Sequence, residues 1–269
     1  MPERERTRRV DAVIIRHQRW GEADRLLTIY ARELGKVRAI AKGVRKTRSR
    51  KAGHLEPFMR SALMLAQGRD LWIVSQADTI DAFLPLRDDL QKTGYAAYVL
   101  ELLDRFTYDD GPNPTLYRLL VETLERLAKD EPVFVVLHFY EFRLLDLMGF
   151  RPQLFDCISC GETIKAEDQY FSALQGGVLC PRCGHRVEDS RRISMDALKF
   201  LRHFQRSSYA QALAARPVAR VEQEVETIMQ WYLTFLLERN INSQAFIREV
   251  RKGYTATNPD KPAGSEEIH

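Results

Sequence analysis

Two cysteine pairs carry the clearest chemistry in this chain: Cys157-Ile158-Ser159-Cys160 and Cys180-Pro181-Arg182-Cys183, separated by nineteen residues. A two-residue gap lets both thiolates of a pair reach one ion, and two such knuckles complete a tetrahedral set with no position left for a catalytic water. The expected role is structural, with Zn2+ as the cofactor; thiolate softness and spacing favour zinc, although iron can occupy the same four sulfurs. A redox dithiol is the rival reading of one Cys-x-x-Cys, and two matched pairs at this spacing argue against it. Gly161 and Gly184 follow the second cysteine of each pair, where a knuckle turn favours positive φ. His185 stands close by and is expected to be exposed rather than a ligand.

The second feature is basic. In Lys36 to Lys51, half of the sixteen residues are Lys or Arg and none is acidic. Val37, Ala39 and Ala41 alternate with Lys36, Arg38, Ile40 and Lys42, mostly the period-2 pattern of a strand with one wet face. After Gly43 the pattern stops, and Arg45, Lys46, Arg48, Arg50 and Lys51 read as a loop. A polyanion neutralises such a cluster with release of its condensed counterions, so these eight cations are the nucleic-acid candidates. A solvated charge run is the plain alternative. An adaptor loop that binds an acidic protein tail is another, because such a tail attracts the same groups.

Other chemistry is missing from the sequence. There is no P-loop (Gly43 with Lys46-Thr47 lacks the second glycine), no G-x-G-x-x-G, no H-E-x-x-H and no G-x-S-x-G. The six histidines are scattered, and His138 and His203 fall within helical patterns as core-edge residues. Asp88-Asp89 and Asp109-Asp110 read as capping or solvated turn residues. A metal-dependent nuclease would need carboxylate or His ligands around an open position, so the chain reads as a non-enzyme. Trp20, Tyr30 and Trp72 either stack on bases or fill the core, and the sequence leaves that open.

These features need elements to position them. The chain has 269 residues, is 45% hydrophobic and 29% charged, and carries a net charge of +4, so any binding surface must be local. No apolar run approaches the ~20 residues of a membrane span, and the charged start has no signal-peptide character; a cytoplasmic protein is expected. Residues 1–9 read as disordered. Five short strands are expected at Val10 to Arg16, Arg25 to Ala31, the basic strand, Phe58 to Ala66 and Leu71 to Ala77, with Trp20 to Asp24 as a turn. Five strands in about eighty residues fit an OB-fold β-barrel, with an SH3-like barrel as alternative. From Pro85 the spacing turns helical. Helices follow around Tyr95–Phe106, Leu116–Leu127 and, after Pro132, to Gly149. Beyond the cysteines they resume after Ser194, an N-cap, then at Tyr209–Ala214 and from Pro217. The fold class is thus α+β and multidomain: a barrel over 1–80, a helical domain over 81–152 and 193–252, a four-cysteine zinc module inserted at 153–192, and a disordered tail at 253–269.

The order of parts resembles the bacterial RecO recombination and repair proteins. The resemblance rests on Trp20-Gly21-Glu22-Ala23-Asp24-Arg25-Leu26-Leu27, Glu33-Leu34-Gly35-Lys36, Ala41-Lys42-Gly43-Val44-Arg45 and Leu55-Glu56-Pro57-Phe58. It continues in Met148-Gly149-Phe150-Arg151-Pro152 and Gly176-Gly177-Val178-Leu179-Cys180. It spans about residues 8 to 250 and places the chain with the zinc-bearing members. It implies a mediator without a catalytic site, which binds single- and double-stranded DNA and anneals complementary strands. It further implies that the protein acts with RecR, and in some pathways RecF, to load RecA on DNA coated by single-strand-binding protein. Contact with the acidic C-terminal tail of that binding protein and association with the nucleoid are implied as well.

Overall fold

Five strands close a barrel at the start of the computed structural model, which describes residues 7–108, 111–237, 247, 249 and 250. They are β1 (Thr7–Trp20), β2 (Asp24–Ala31), β3 (Gly35–Ala41), β4 (Arg60–Gln67) and β5 (Trp72–Asp81). Their order is β1-β2-β3-β5-β4, with β4 returning to β1. Only the β3–β5 contact among these is parallel, and the result is the small closed barrel expected from the alternation. Its interior takes one face of each strand: Ile14 from β1, Leu27 and Ile29 from β2, Ala39 from β3, Leu63 and Leu65 from β4, and Val74 from β5.

Strand ends depart from the sequence expectation where a partner, not the strand's own apolar pattern, supplies the pairing. β1 is twice the expected length, since Thr7–Arg9 pair with β4 and His17–Trp20 pair with β2 across a register shift between Ile14 and Arg16. Trp20 closes the strand and is not part of the turn. Phe58 is outside β4 and has φ 72°, where the chain bends so that the Phe58 N–H donates to Ile14 O and Met59 O accepts from the Ile14 N–H.

The helices are α1 (Leu84–Asp88), α2 (Leu90–Phe106), α3 (Pro114–Ala128) and α4 (Val133–Leu147). The cysteine segment then contains β6 (Gln169–Ser172), β7 (Gly177–Leu179), a short α5 (Pro181–Gly184) and β8 (Ser190–Ile193). Helices α6 (Met195–Arg206), α7 (Tyr209–Leu213) and α8 (Ala219–Leu236) follow. Two compact units result. One gathers the described residues up to Tyr117 with Leu127–Lys129; the other gathers Arg118–Arg126 and the chain from Asp130 through α8. Helices α1 and α2, expected to open the helical domain, therefore group with the barrel. Residues 1–6, Asp109, Asp110 and the tail at 253–269 lie outside the described residues. No helix among the described residues is long and apolar enough to cross a membrane.

In the first unit, α2 is N-capped by Asp89, which accepts from the N–H groups of Gln91 and Lys92. Its other end is tied to the barrel through Asp104, which pairs with Arg16 on β1 at 3.2 Å and Lys36 on β3 at 2.6 Å. Arg16 lies opposite Thr28, and Lys36 opposite Tyr30. The last turn of α2 consequently straddles the outer face of β2. That explains why Thr28 and Tyr30, which point out of the barrel, are buried.

A second tie involves Asp11, Arg60 and Tyr117. The Arg60 guanidinium donates to Asp11 at 2.6 Å and the Tyr117 hydroxyl donates to it at 2.5 Å. Burial alone would raise the Asp11 carboxyl, but these hydrogen bonds outweigh it and hold the group below its ordinary value. A depressed carboxylate stabilises the fold above its unfolded pKa, near 3.8, and that contribution fades as pH falls through the folded value. Asp11→Asn is expected to be less stable than wild type in urea at about pH 7, with the difference shrinking as pH falls below 3.8 and through the folded value. An unchanged difference across that range would show that the Asp11 charge is not linked to folding.

The second unit is built on α4, whose apolar sequence is buried over most of its length. It ends as the Gly-then-Pro exit predicts: Gly149 takes φ 80° and the Phe150 N–H returns to the Leu145 carbonyl. Inside, His138 and Glu141 hydrogen-bond at 2.7 Å, and His138 packs edge-on against Phe134. Ser194 caps α6 as expected, accepting from Ala197, and is itself held by Glu224 of α8.

Candidate metal centre and nucleic-acid interface

The four cysteines come together. Their sulfurs all lie within 4.8 Å of one another, and Cys160 Sγ is 3.9 Å from Cys180 Sγ. A tetrahedron of sulfurs ~2.3 Å from a central Zn2+ has edges of about 3.8 Å, so the set fits a zinc-sized ion and can hold one.

Local structure explains the convergence. In the first knuckle the Cys157 N–H bonds to Glu162 O and the Gly161 N–H to Cys157 O, with Gly161 at φ 75°. In the second, the N–H groups of Cys183 and Gly184 both bond to Cys180 O. The Ile158 N–H reaches Val178 O and so joins the knuckles. Gly184 departs from the expectation of positive φ: it sits at the end of α5. Its constraint is steric, since a Cβ there would lie 2.3 Å from the Tyr170 ring. The strands β7-β6-β8 form a small sheet behind the knuckles. Phe171 of β6 meets Trp231 and Tyr232 of α8 edge-on, with centroids 6.1 and 5.4 Å apart.

The donor chemistry also suits a cation. Burial would raise the Cys157 thiol, but backbone N–H groups of Cys180, Cys160 and Ser159 outweigh it and lower it to about 6. Its hydrogen bond with Cys180 pushes Cys183 up to about 12. Crowded thiols cannot all ionise unaided, whereas a bound dication stabilises every thiolate. His185 is exposed and hydrogen-bonds the Tyr170 hydroxyl at 3.1 Å, outside the sulfur set.

The basic residues form an exposed edge of the barrel with two exceptions. Arg38, Lys42, Arg45, Lys46, Arg48 and Arg50 are all exposed. Lys36 instead points into the protein, pairing with Asp104 and donating to the carbonyls of Asp104 and Thr107, the latter at 3.0 Å. Lys51 donates to the Val74 carbonyl at 2.9 Å, and burial lowers its pKa. The loop after β3 is pinned by buried Val44 and by the β1–β2 turn. There the Gly43 N–H donates to Asp24 at 2.7 Å, the Arg45 N–H to Ala23 O at 2.8 Å and the Arg45 guanidinium to Glu22 O at 2.9 Å. Of the three aromatic candidates, Tyr30 is buried, Trp72 is half-buried against the core, and Trp20 is exposed.

Arg69 lies outside the basic run but joins its neighbourhood in the fold. It is exposed in the turn leading into β5, and the parallel pair Ala39–Trp72 sets that turn beside Arg38. Only the β3–β5 adjacency reveals it, and no local pattern encodes that contact.

Comparison with known proteins places these features in a family. Residues 6–83 match the family model described as "Recombination protein O N terminal", and residues 87–245 match "Recombination protein O C terminal". The chain is similar to a protein named DNA repair protein RecO from Roseiflexus sp. (strain RS-1), 39% identical over 256 residues, or 95% of this chain and 90% of the relative. A protein of the same name from Pelotomaculum thermopropionicum is 34% identical over 239 residues, 89% of this chain and 93% of the relative. Another, from Dehalococcoides mccartyi, is 34% identical over 228 residues, 85% and 90% respectively.

Proposed function

This chain belongs to the RecO family of DNA repair proteins, and from that premise we propose that it is a non-catalytic mediator that binds DNA without sequence preference and pairs complementary strands. The observation that carries the reading is the exposed edge of six cations, Arg38, Lys42, Arg45, Lys46, Arg48 and Arg50, on a small barrel. Lysine and arginine clusters read phosphate charge and not base edges, so both single and double strands are bound. Docking two strands on one protein, or one strand on each of two copies, screens their repulsion and raises their local concentration. Pairing then proceeds without ATP. Lys36 and Lys51 act as scaffold in this reading.

Cys157, Cys160, Cys180 and Cys183 would hold a structural Zn2+, which supplies four bonds that lock the two knuckles. In the cell the protein acts in the cytoplasm, at the nucleoid. With RecR, and RecF in some pathways, it helps load RecA on DNA coated by single-strand-binding protein, whose acidic C-terminal tail it also contacts. The second reading, an adaptor whose basic loop takes that acidic tail instead of DNA, draws on the same cations.

The test is annealing of two complementary labelled oligonucleotides in the absence of ATP. The mediator reading expects pairing at least about tenfold faster than without protein, with the gain lost toward 1 M salt, where phosphate contacts are screened. Pairing at the protein-free rate would favour the adaptor.

A further inference from the structure

We infer that Trp20 is a stacking platform for an unpaired base, set beside the basic edge so that the protein grips single strands by base as well as by backbone. The inference rests on the nucleic-acid reading above and adds to it a preference that charge alone cannot supply.

Strand register places Trp20 on the right face. Side chains two apart share a face of a strand, and directly paired residues share it across strands. On β1, Trp20 pairs with Asp24, Gln18 with Leu26 and Arg16 with Thr28. On β3, Ile40 pairs with Leu26 and Arg38 with Thr28. Trp20 therefore lies on the same outer face as Arg38 and Ile40, at the end where Lys42 leaves the strand.

That end is open. The last turn of α2 occupies the face near Thr28 and Tyr30 through Asp104, which prevents a strand from lying along the whole sheet. Toward the β1–β2 turn, Trp20 is 45% exposed and Lys42 is exposed. The turn itself is fixed to the basic loop by the bonds from Gly43 and Arg45. Because Asp24, the strand partner of Trp20, also holds the Gly43 N–H, Trp20 stands at the same end as the basic loop, where it can meet a base while the neighbouring phosphates meet the cations. Tyr30 is buried and Trp72 is half-buried against the barrel core, so Trp20 is the most exposed of the three.

Duplex DNA keeps its bases stacked on one another, so Trp20 offers it nothing, whereas a single strand presents a free base face. The experiment compares wild type, Trp20→Ala and Trp20→Phe on an oligothymidylate of about 20 nucleotides, an abasic strand of equal length and a duplex. Losing one base stack is expected to weaken Trp20→Ala binding to the thymidylate roughly tenfold to a hundredfold. Binding to the abasic strand and the duplex stays at the wild-type level, the salt slope is unchanged, and Trp20→Phe restores most of the affinity. An equal loss on the abasic strand, or no loss on the thymidylate, overturns the stacking role while leaving the basic edge standing. Failure of the wild type to bind any of the three overturns both.

Discussion

Cys180→Ser is expected to strip the protein of its metal and to loosen the segment from Phe155 to Arg192. Each knuckle contributes two of the four sulfurs, so loss of one opens the set and unlinks the knuckles. In small zinc modules the metal contributes about 10 kcal/mol or more of folding free energy, far above the ~1 kcal/mol of an ordinary substitution. The sheet β7-β6-β8 has a small apolar core of its own, including Phe171, Val178 and Ile193. It also leans on α8, so partial order persists there. Trp231 reports the change, because it packs against Phe171 and beneath the Arg191 guanidinium at 4.2 Å. Elemental analysis should find about one zinc per wild-type chain and none in the variant, with tryptophan emission shifted to the red and a lower melting temperature. A variant that keeps its metal and its emission spectrum would show that the Cys180 sulfur is not a ligand.

Reversing Arg45, Lys46, Arg48 and Arg50 together to Glu should abolish annealing and cut single-strand affinity roughly a hundredfold to a thousandfold at 0.1 M salt. The figure follows from about 0.7 logarithmic unit per phosphate contact for each tenfold change in salt, over four contacts. The set omits Lys36 and Lys51 by design. Removing the Lys36 ammonium would leave Asp104 with one partner fewer under α2, and a stability loss would then confuse the result. The four chosen side chains are exposed, and Val44 and the Gly43–Asp24 bond keep the loop seated. The Arg45 guanidinium bond to Glu22 O is lost, but the backbone bonds from Gly43 to Asp24 and from Arg45 to Ala23 remain, so the variant should melt near the wild-type temperature. Unchanged annealing by a folded variant would move the DNA contact elsewhere.

The barrel was legible because each strand that faces water on one side alternates. The convergence of the four cysteines was legible because the spacing is local: two residues within each knuckle, whatever the intervening chain does. The position of Lys36 was not, since its partners Asp104 and Thr107 stand 68 and 71 residues away. A signal was present nonetheless. Leu26 to Ala31 is almost continuously apolar, the mark of a strand covered on both faces, and β2 is buried from Leu26 to Ala31. The length of β1 was hidden for a related reason, because Thr7–Arg9 are polar and are ordered by β4 rather than by burial. Gly184 shows the same limit at one residue: its neighbour Tyr170 is fixed by the β6 register, which a knuckle motif does not contain.

The most direct test of the mediator account is fluorescence anisotropy of a labelled single strand, titrated with protein over a salt series. Six exposed cations predict a slope of log affinity against log salt near about −4, falling to about −1.5 when the four loop residues are Glu. Absence of binding at low salt, or a slope that those substitutions leave untouched, would contradict the account and assign the basic loop to an acidic protein partner.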